Sequence, residues 1–180
     1  MKVRAHGMAL DAPPGWEVRI GRRAPDGLVP AALDAAGSDP RAPDPRAPDP
    51  MAPDPMALSR PVLHAATVTL PEVRGDFGGS VTGQLGELDV FVSLFEYGPE
   101  AVSTPLFATR GRPELGAADF SPAGLQRSIA GQSGRQYFFQ ESGRAFCLYV
   151  VLGSHARRAV LIRRVRALLG TLDLDAAAGS

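Results

Sequence analysis

The chain has little of what staples, metallates or anchors a small protein. Its single cysteine, Cys147, cannot form an internal disulfide, which excludes a disulfide-stapled secreted scaffold. Three histidines, His6, His64 and His155, show no ligand spacing with one another or with that cysteine, so no metal site is expected. The longest apolar stretch, Ala145 to Leu152, falls far short of the roughly 20 residues that span a bilayer. At the N-terminus Arg4, His6 and Asp11 interrupt any apolar run of the kind a secretory signal needs. The expectation is a soluble cytoplasmic protein. Net charge is also missing: 19 basic and 19 acidic residues cancel, which argues against an obligate nucleic-acid coat. Lysine is confined to Lys2 and every other basic residue is arginine. With abundant Ala, Gly and Pro, this points to a GC-rich, actinobacterial genome and carries no mechanism.

Motifs for chemistry are equally scarce. No G-x-x-x-x-G-K-[ST] accompanies the glycines of 75–86, so phosphate cradling is not expected, and no cofactor is implied. Gly131-Gln-Ser-Gly134 lacks both the spacing and the preceding strand of a nucleophile elbow. Cys147 lies within Ala-Phe-Cys-Leu-Tyr-Val-Val and reads as a small buried hydrophobe. His64 shares a face with Val62, Ala66 and Val68 and reads as a satisfied interior histidine in preference to a catalytic base. Glu87 and Asp89, two apart, would share one strand face as a carboxylate pair does, but nothing nearby supplies a third ligand.

What is present in quantity is proline. Three copies of [RM]-A-P-D-P run from Arg41 to Pro55, and seven of the 17 prolines fall between Pro40 and Pro55. Each removes a backbone donor and pushes its predecessor toward extended geometry, so neither helix nor sheet is expected there. Residues 24–60 are read as one long disordered Pro/Ala/Asp-rich loop, a spacer in preference to a ligand for a proline-binding domain.

The flanks carry structural periodicity. Trp16 to Ile20 alternates apolar and charged residues as a half-buried strand does, with Trp16, Val18 and Ile20 inward. Val3 to Leu10 reads as a strand closed by the Asp11-Ala-Pro-Pro-Gly15 turn. Val62 to Leu70 and a bulged Phe77 to Gln84 read as strands, and Leu88 to Tyr97 as a central one, apolar on both faces. Glu141-Ser-Gly-Arg144 predicts a hairpin between 136–140 and 145–152. Ser121 and Pro122 open one helical turn. Beyond Ser154, a plausible N-cap, Leu161, Val165, Leu168, Leu169 and Leu172 form one apolar stripe, predicting an amphipathic helix over Ala156–Leu172 laid on the sheet. The fold class is therefore α+β: a twisted antiparallel sheet covered by a C-terminal amphipathic helix. One domain is made of residues 1–23 and 61–174, interrupted by 24–60 and followed by a frayed 175–180 tail.

An apolar strand, then Asp11-Ala-Pro-Pro-Gly-Trp16, then a second strand, closing with a long hairpin (Phe138–Leu152) and helix, resembles the PsbP-like fold superfamily. That resemblance implies non-catalytic protein binding, as in assembly factors and chaperones.

Charge is distributed unevenly. Residues 67–125 hold eight acids and three arginines, whereas 126–172 hold eight arginines and only Glu141. The candidate binding residues are the helix arginines Arg157, Arg158, Arg163, Arg164 and Arg166, facing an unknown protein partner with an acidic patch. The favoured function is a non-enzymatic adaptor, chaperone or assembly factor. Two alternatives stand beside it: an enzyme whose pocket, with His64, is invisible in sequence, and a binder of anionic surfaces or nucleic acid.

Overall fold

A computed structural model describes residues 1–23 and 59–174. The expected disordered loop and frayed tail fall on 24–58 and 175–180, outside the described residues. The fold is α+β. Strands β1 (Lys2–Ala5) and β2 (Met8–Asp11) form a small hairpin. Strands β3 (Glu17–Arg23), β4 (Arg60–Ala66), β5 (Val90–Glu96), β6 (Ser133–Glu141) and β7 (Arg144–Leu152) form a twisted antiparallel sheet in the order β3-β4-β5-β7-β6. A single α-helix, α1 (Arg158–Leu169), follows.

β5 occupies the centre, as its unbroken run Val-Phe-Val-Ser-Leu-Phe requires, because both of its faces are buried. Against one face Val18, Leu63, Ala65, Val92, Leu94, Leu148 and Val150 meet Leu161, Val165 and Leu168 of α1 and Met8 and Leu10 of the small hairpin. Against the other, Phe91, Tyr149 and Val151 meet Leu70, Val81 and Leu85, while Cys147, Phe95 and Phe138 meet Phe77, Tyr97 and Phe107. That second cover contains no α-helix or strand among the described residues; it consists of turns and short 3-10 segments at Thr82–Gln84, Pro99–Ser103 and Pro105–Phe107.

Several element boundaries differ from expectation, each for a local reason. The strand expected over Val3–Leu10 is broken in the middle. His6 and Gly7 take φ of 53° and 70°, making a tight turn of the kind that joins two-residue hairpins, with Ala5 opposite Met8. Ser142 and Gly143 repeat that geometry at φ of 54° and 71° and join β6 to β7 where the hairpin was expected. No strand forms at Phe77–Gln84: Gly78, at φ 85°, lies so close to Phe91 that a Cβ would sit 2.7 Å from its ring. The strand expected from Val62 begins earlier and ends at Ala66; Arg60, expected in the loop, pairs with Arg23 and belongs to the sheet. The strand expected from Leu88 starts at Val90, since Gly86 and Asp89 close a turn before it. α1 is shorter than expected. It starts at Arg158 with Arg157 at the cap and no side-chain cap, so Ser154 does not serve as N-cap.

One ion pair locks the small hairpin to the sheet. Arg144 grips Glu96 through Nε and Nη2 at 3.1 and 2.6 Å, donates to the carbonyl of Gly7 at 2.8 Å, and lies over the Phe146 ring. Both side chains of the pair are largely buried, so removing one partner strands a charge in a poorly solvated place. Arg144→Met should cost about 3 kcal/mol in urea-induced unfolding, and Arg144→Met/Glu96→Leu should recover most of that loss.

Candidate functional site

Where the C-terminal half of α1 leaves the sheet, a cavity of about 460 Å³ opens. Its floor is aliphatic and aromatic: Leu94 of β5, Leu148 of β7 and Phe139 of β6, with Leu169 and Leu172 on one wall and Leu115 on the other. Its rim carries three charged residues, Arg112, Glu114 and Arg166.

These rim residues differ in what they are free to do. Arg112 is fully engaged. Its Nε and Nη2 donate to the Glu141 carboxylate at 2.9 and 2.7 Å, and its Nη1 donates to the carbonyls of Leu169 and Leu172. A guanidinium on the last carbonyls of a helix complements the negative end of its dipole. Here it also pins the 112–115 segment as the outer wall. Glu114 and Arg166, by contrast, have no hydrogen bond or ion pair to any described residue, and they do not pair with each other. The neighbouring Tyr137 hydroxyl donates to Asp119 at 3.3 Å; burial foremost, then Asp119, pushes its pKa up to about 12. It stays a neutral donor.

The five helix arginines do not form one cluster. A period of 3.6 residues centres Val160 and Arg163 on the outer face of α1 and puts Arg164 and Arg166 on its two opposite flanks, with the cap residue Arg157 on the Arg164 side and Arg158 in the first turn. Arg157 pairs with Glu87 at 3.2 Å, and Arg164 donates to the Leu88 carbonyl. Arg158 folds back onto the carbonyl of His155 at 3.0 Å. Arg163 is exposed, without a hydrogen bond or ion pair to a described residue. Arg166 goes to the cavity. Two apolar side chains next to these tethers are exposed: Val160, one turn before Arg164, at 46%, and Leu88, whose carbonyl Arg164 holds, at 55% of full exposure.

His64 sits elsewhere, on the opposite face of the sheet from the cavity, 3% exposed. Its Nδ1 accepts from Arg74 Nε at 2.9 Å, its Nε2 lies 3.3 Å from the Asp76 carbonyl, and its ring stacks on Phe91. Both nitrogens are occupied by structural partners, and no carboxylate oxygen is among them. Burial first and Arg74 second push its pKa down to about 4. Cys147 is fully buried, and burial pushes its thiol up to about 12. Glu87 and Asp89 do not act as a pair: Asp89 accepts from Thr67 Oγ1 and the Gly86 amide to shape a turn, while Glu87 points to Arg157. Among the described residues, no three His, Cys, Asp or Glu side chains stand close enough to hold a metal ion, and no helix is long and apolar enough to cross a membrane.

Comparison of the chain with protein-family models, curated proteins and solved structures found no match.

The cavity escaped sequence reasoning because its wall comes from five segments, 94, 112–115, 139, 148 and 166–172, with no motif in any of them. Arg112 gave no signal of its own, standing two residues after Arg110 in an irregular proline-bearing stretch, and its ties to Glu141 and the helix end are set only by tertiary packing.

Two groups yield measurable consequences. The unfolded chain takes up a proton on His64 near its ordinary 6.5, while the folded chain does so only near 4. The contribution of His64 is therefore complete above pH 6.5 and is lost as the pH falls from 6.5 toward 4, by about 3 kcal/mol at most. Urea unfolding of wild type and His64→Gln at pH 7 and pH 4.5 should show a steeper fall for wild type. Cys147 should react with a thiol reagent only on unfolding, so its labelling rate should rise with urea concentration, and at each concentration should rise between pH 7 and 9 as the thiol of the opened chain ionises.

Proposed function

We propose that the protein is a non-enzymatic protein-binding adaptor, chaperone or assembly factor of the cytoplasm, which recognises its partner through the outer face of α1. The observation that carries this reading is the arrangement of exposed Val160 and Leu88 beside Arg157 and Arg164, whose side chains are tethered to the neighbouring turn, with unengaged Arg163 on the same face. An apolar centre bordered by arginine is the composition of a protein interface, and pre-tethered side chains lose less freedom on binding than loose ones. The basic excess of 126–172 suits a partner with an acidic patch. The PsbP-like order of elements supports the same reading, as does the use of both His64 nitrogens in packing contacts. No cofactor is called for.

The site residues narrow accordingly. Arg157, Arg163 and Arg164 belong to the recognition face. Arg158, turned back on His155, helps to set the helix start.

Affinity capture from an extract of the source organism, followed by reconstitution with the purified partner, tests the reading. Val160→Asp and Arg163→Glu should each weaken the reconstituted complex about 25-fold, some 2 kcal/mol, with melting temperatures unchanged because both positions are exposed. A partner held equally well by both variants would place recognition elsewhere. A nucleic acid bound with steep salt dependence would reject a protein partner outright.

A further inference from the structure

We infer that the cavity beneath the C-terminal half of α1 is a binding site for a short apolar peptide with free termini, separate from the outer helix face. The volume of about 460 Å³ falls within the ~300–1,000 Å³ of ordinary small-ligand sites and exceeds what one aliphatic side chain fills. Leu94, Leu148, Phe139 and Leu115 give it an apolar interior with no polar side chain among them. Burial of aliphatic surface is what such a floor rewards.

The rim sets the rest of the ligand. Glu141 and the helix carbonyls take up the guanidinium of Arg112, so that residue holds the wall and attracts no net charge. Arg166 and Glu114 remain, one cation and one anion on the same rim, unpaired with each other and with any other described residue. A fatty carboxylate would satisfy Arg166 and leave Glu114 facing its apolar tail end or its charge. An aliphatic amine would do the reverse. A zwitterion with an apolar body satisfies both: its carboxylate meets Arg166, its ammonium meets Glu114, and its side chains enter the floor. Charge-assisted hydrogen bonds of this kind are the stronger class and fix orientation. The free space favours two or three residues over a single amino acid.

Leucyl-leucine titrated into the full chain, followed by NMR, is the direct test. Saturable shifts confined to the residues that line the cavity, Leu94, Leu115, Phe139, Leu148, Arg166 and Glu114 among them, are expected, and free leucine should bind about tenfold more weakly. Leucyl-leucinamide, lacking the carboxylate, should lose about tenfold against wild type but nothing further against Arg166→Gln. N-Acetyl-leucyl-leucine, lacking the ammonium, should lose about tenfold against wild type but nothing further against Glu114→Gln. Both substituted residues are exposed and outside the core, so these variants should fold, and Pro113→Trp, which crowds the rim, should abolish binding. No saturable binding up to about 10 mM, equal binding of the capped peptides, or tighter binding of decanoate would each overturn the proposal. Because Val160 and Arg163 do not line the cavity, failure here leaves the protein-binding reading untouched, and the reverse holds as well.

Discussion

A five-stranded sheet whose central strand is apolar on both sides has to be covered twice, and this chain has one described α-helix to do it with. That constraint governs the rest of the structure. One face receives α1 and the small hairpin, elements with their own backbone hydrogen bonds. The other receives turns and 3-10 segments, whose backbone groups find fewer partners by themselves. Polar side chains therefore reach out from the sheet and from the cover to meet them. Tyr149 accepts the Gln126 amide at its hydroxyl, Gln132 donates to the Thr82 carbonyl, Gln140 donates to that of Phe107, and Glu17 accepts the Leu70 amide. His64 and Arg74 do the same for the stretch around Asp76 and Pro71. Residues that look like candidates for chemistry in a list of polar side chains are, on this face, the means by which irregular backbone is held down.

The same division explains what was legible in the sequence. Period and turn chemistry announced the elements that are regular: β3 through Trp16, Val18 and Ile20, the β6–β7 hairpin through Ser142-Gly143, α1 through its leucine stripe, and β5 through an apolar run that fits only a sheet centre. Errors fell where a local signal was outvoted by contacts far away in sequence. The Gly-rich stretch at 77–84 has strand-like valine and threonine, yet Gly78 and Gly79 turn it flat against Phe91. His6-Gly7 lacks the Asn-Gly or Asp-Gly signature of a two-residue turn, and the turn that breaks the first strand is held by Arg144, far along the chain, at the Gly7 carbonyl. The cavity was invisible for a related reason. Its floor residues are ordinary core leucines and a phenylalanine, and only the gap between α1 and the 112–115 wall makes them a surface.

Charge shows how a sequence average can conceal structure. The acidic middle and the basic end offset each other in sum, and the fold joins distant segments by ion pairs: Arg144 with Glu96 and Arg157 with Glu87 between end and middle, Arg112 with Glu141 in the reverse sense, and Arg23 of the first long strand with Asp76. Two of these pairs also close backbone gaps, Arg112 at the helix end and Arg144 at the hairpin turn. The polarity read along the chain is therefore largely an internal matter, the means by which strands, helix and loops from distant parts are tied. It is weak grounds for a polyanion partner on its own, since two of the end's arginines already hold acids of the middle and two more are tied to carbonyls.

What is left after that pairing is the more informative quantity. Of the arginines in the basic third, Arg144 and Arg157 have acids, Arg158 and Arg164 have carbonyls, and Arg135 lies over Tyr137. Arg163 and Arg166 remain on the helix without such partners among the described residues, one a turn from the exposed Val160 and the other at the mouth of an apolar cavity. A charge that the fold leaves unpaired costs little in water, so its presence alone signifies nothing. Its position next to apolar surface is different, because that surface is sequestered only when something binds, and binding then removes water from the charge as well. Each of the two sites consequently demands an apolar group and a matching charge together, and this joint demand, more than the count of arginines, is what gives either of them selectivity.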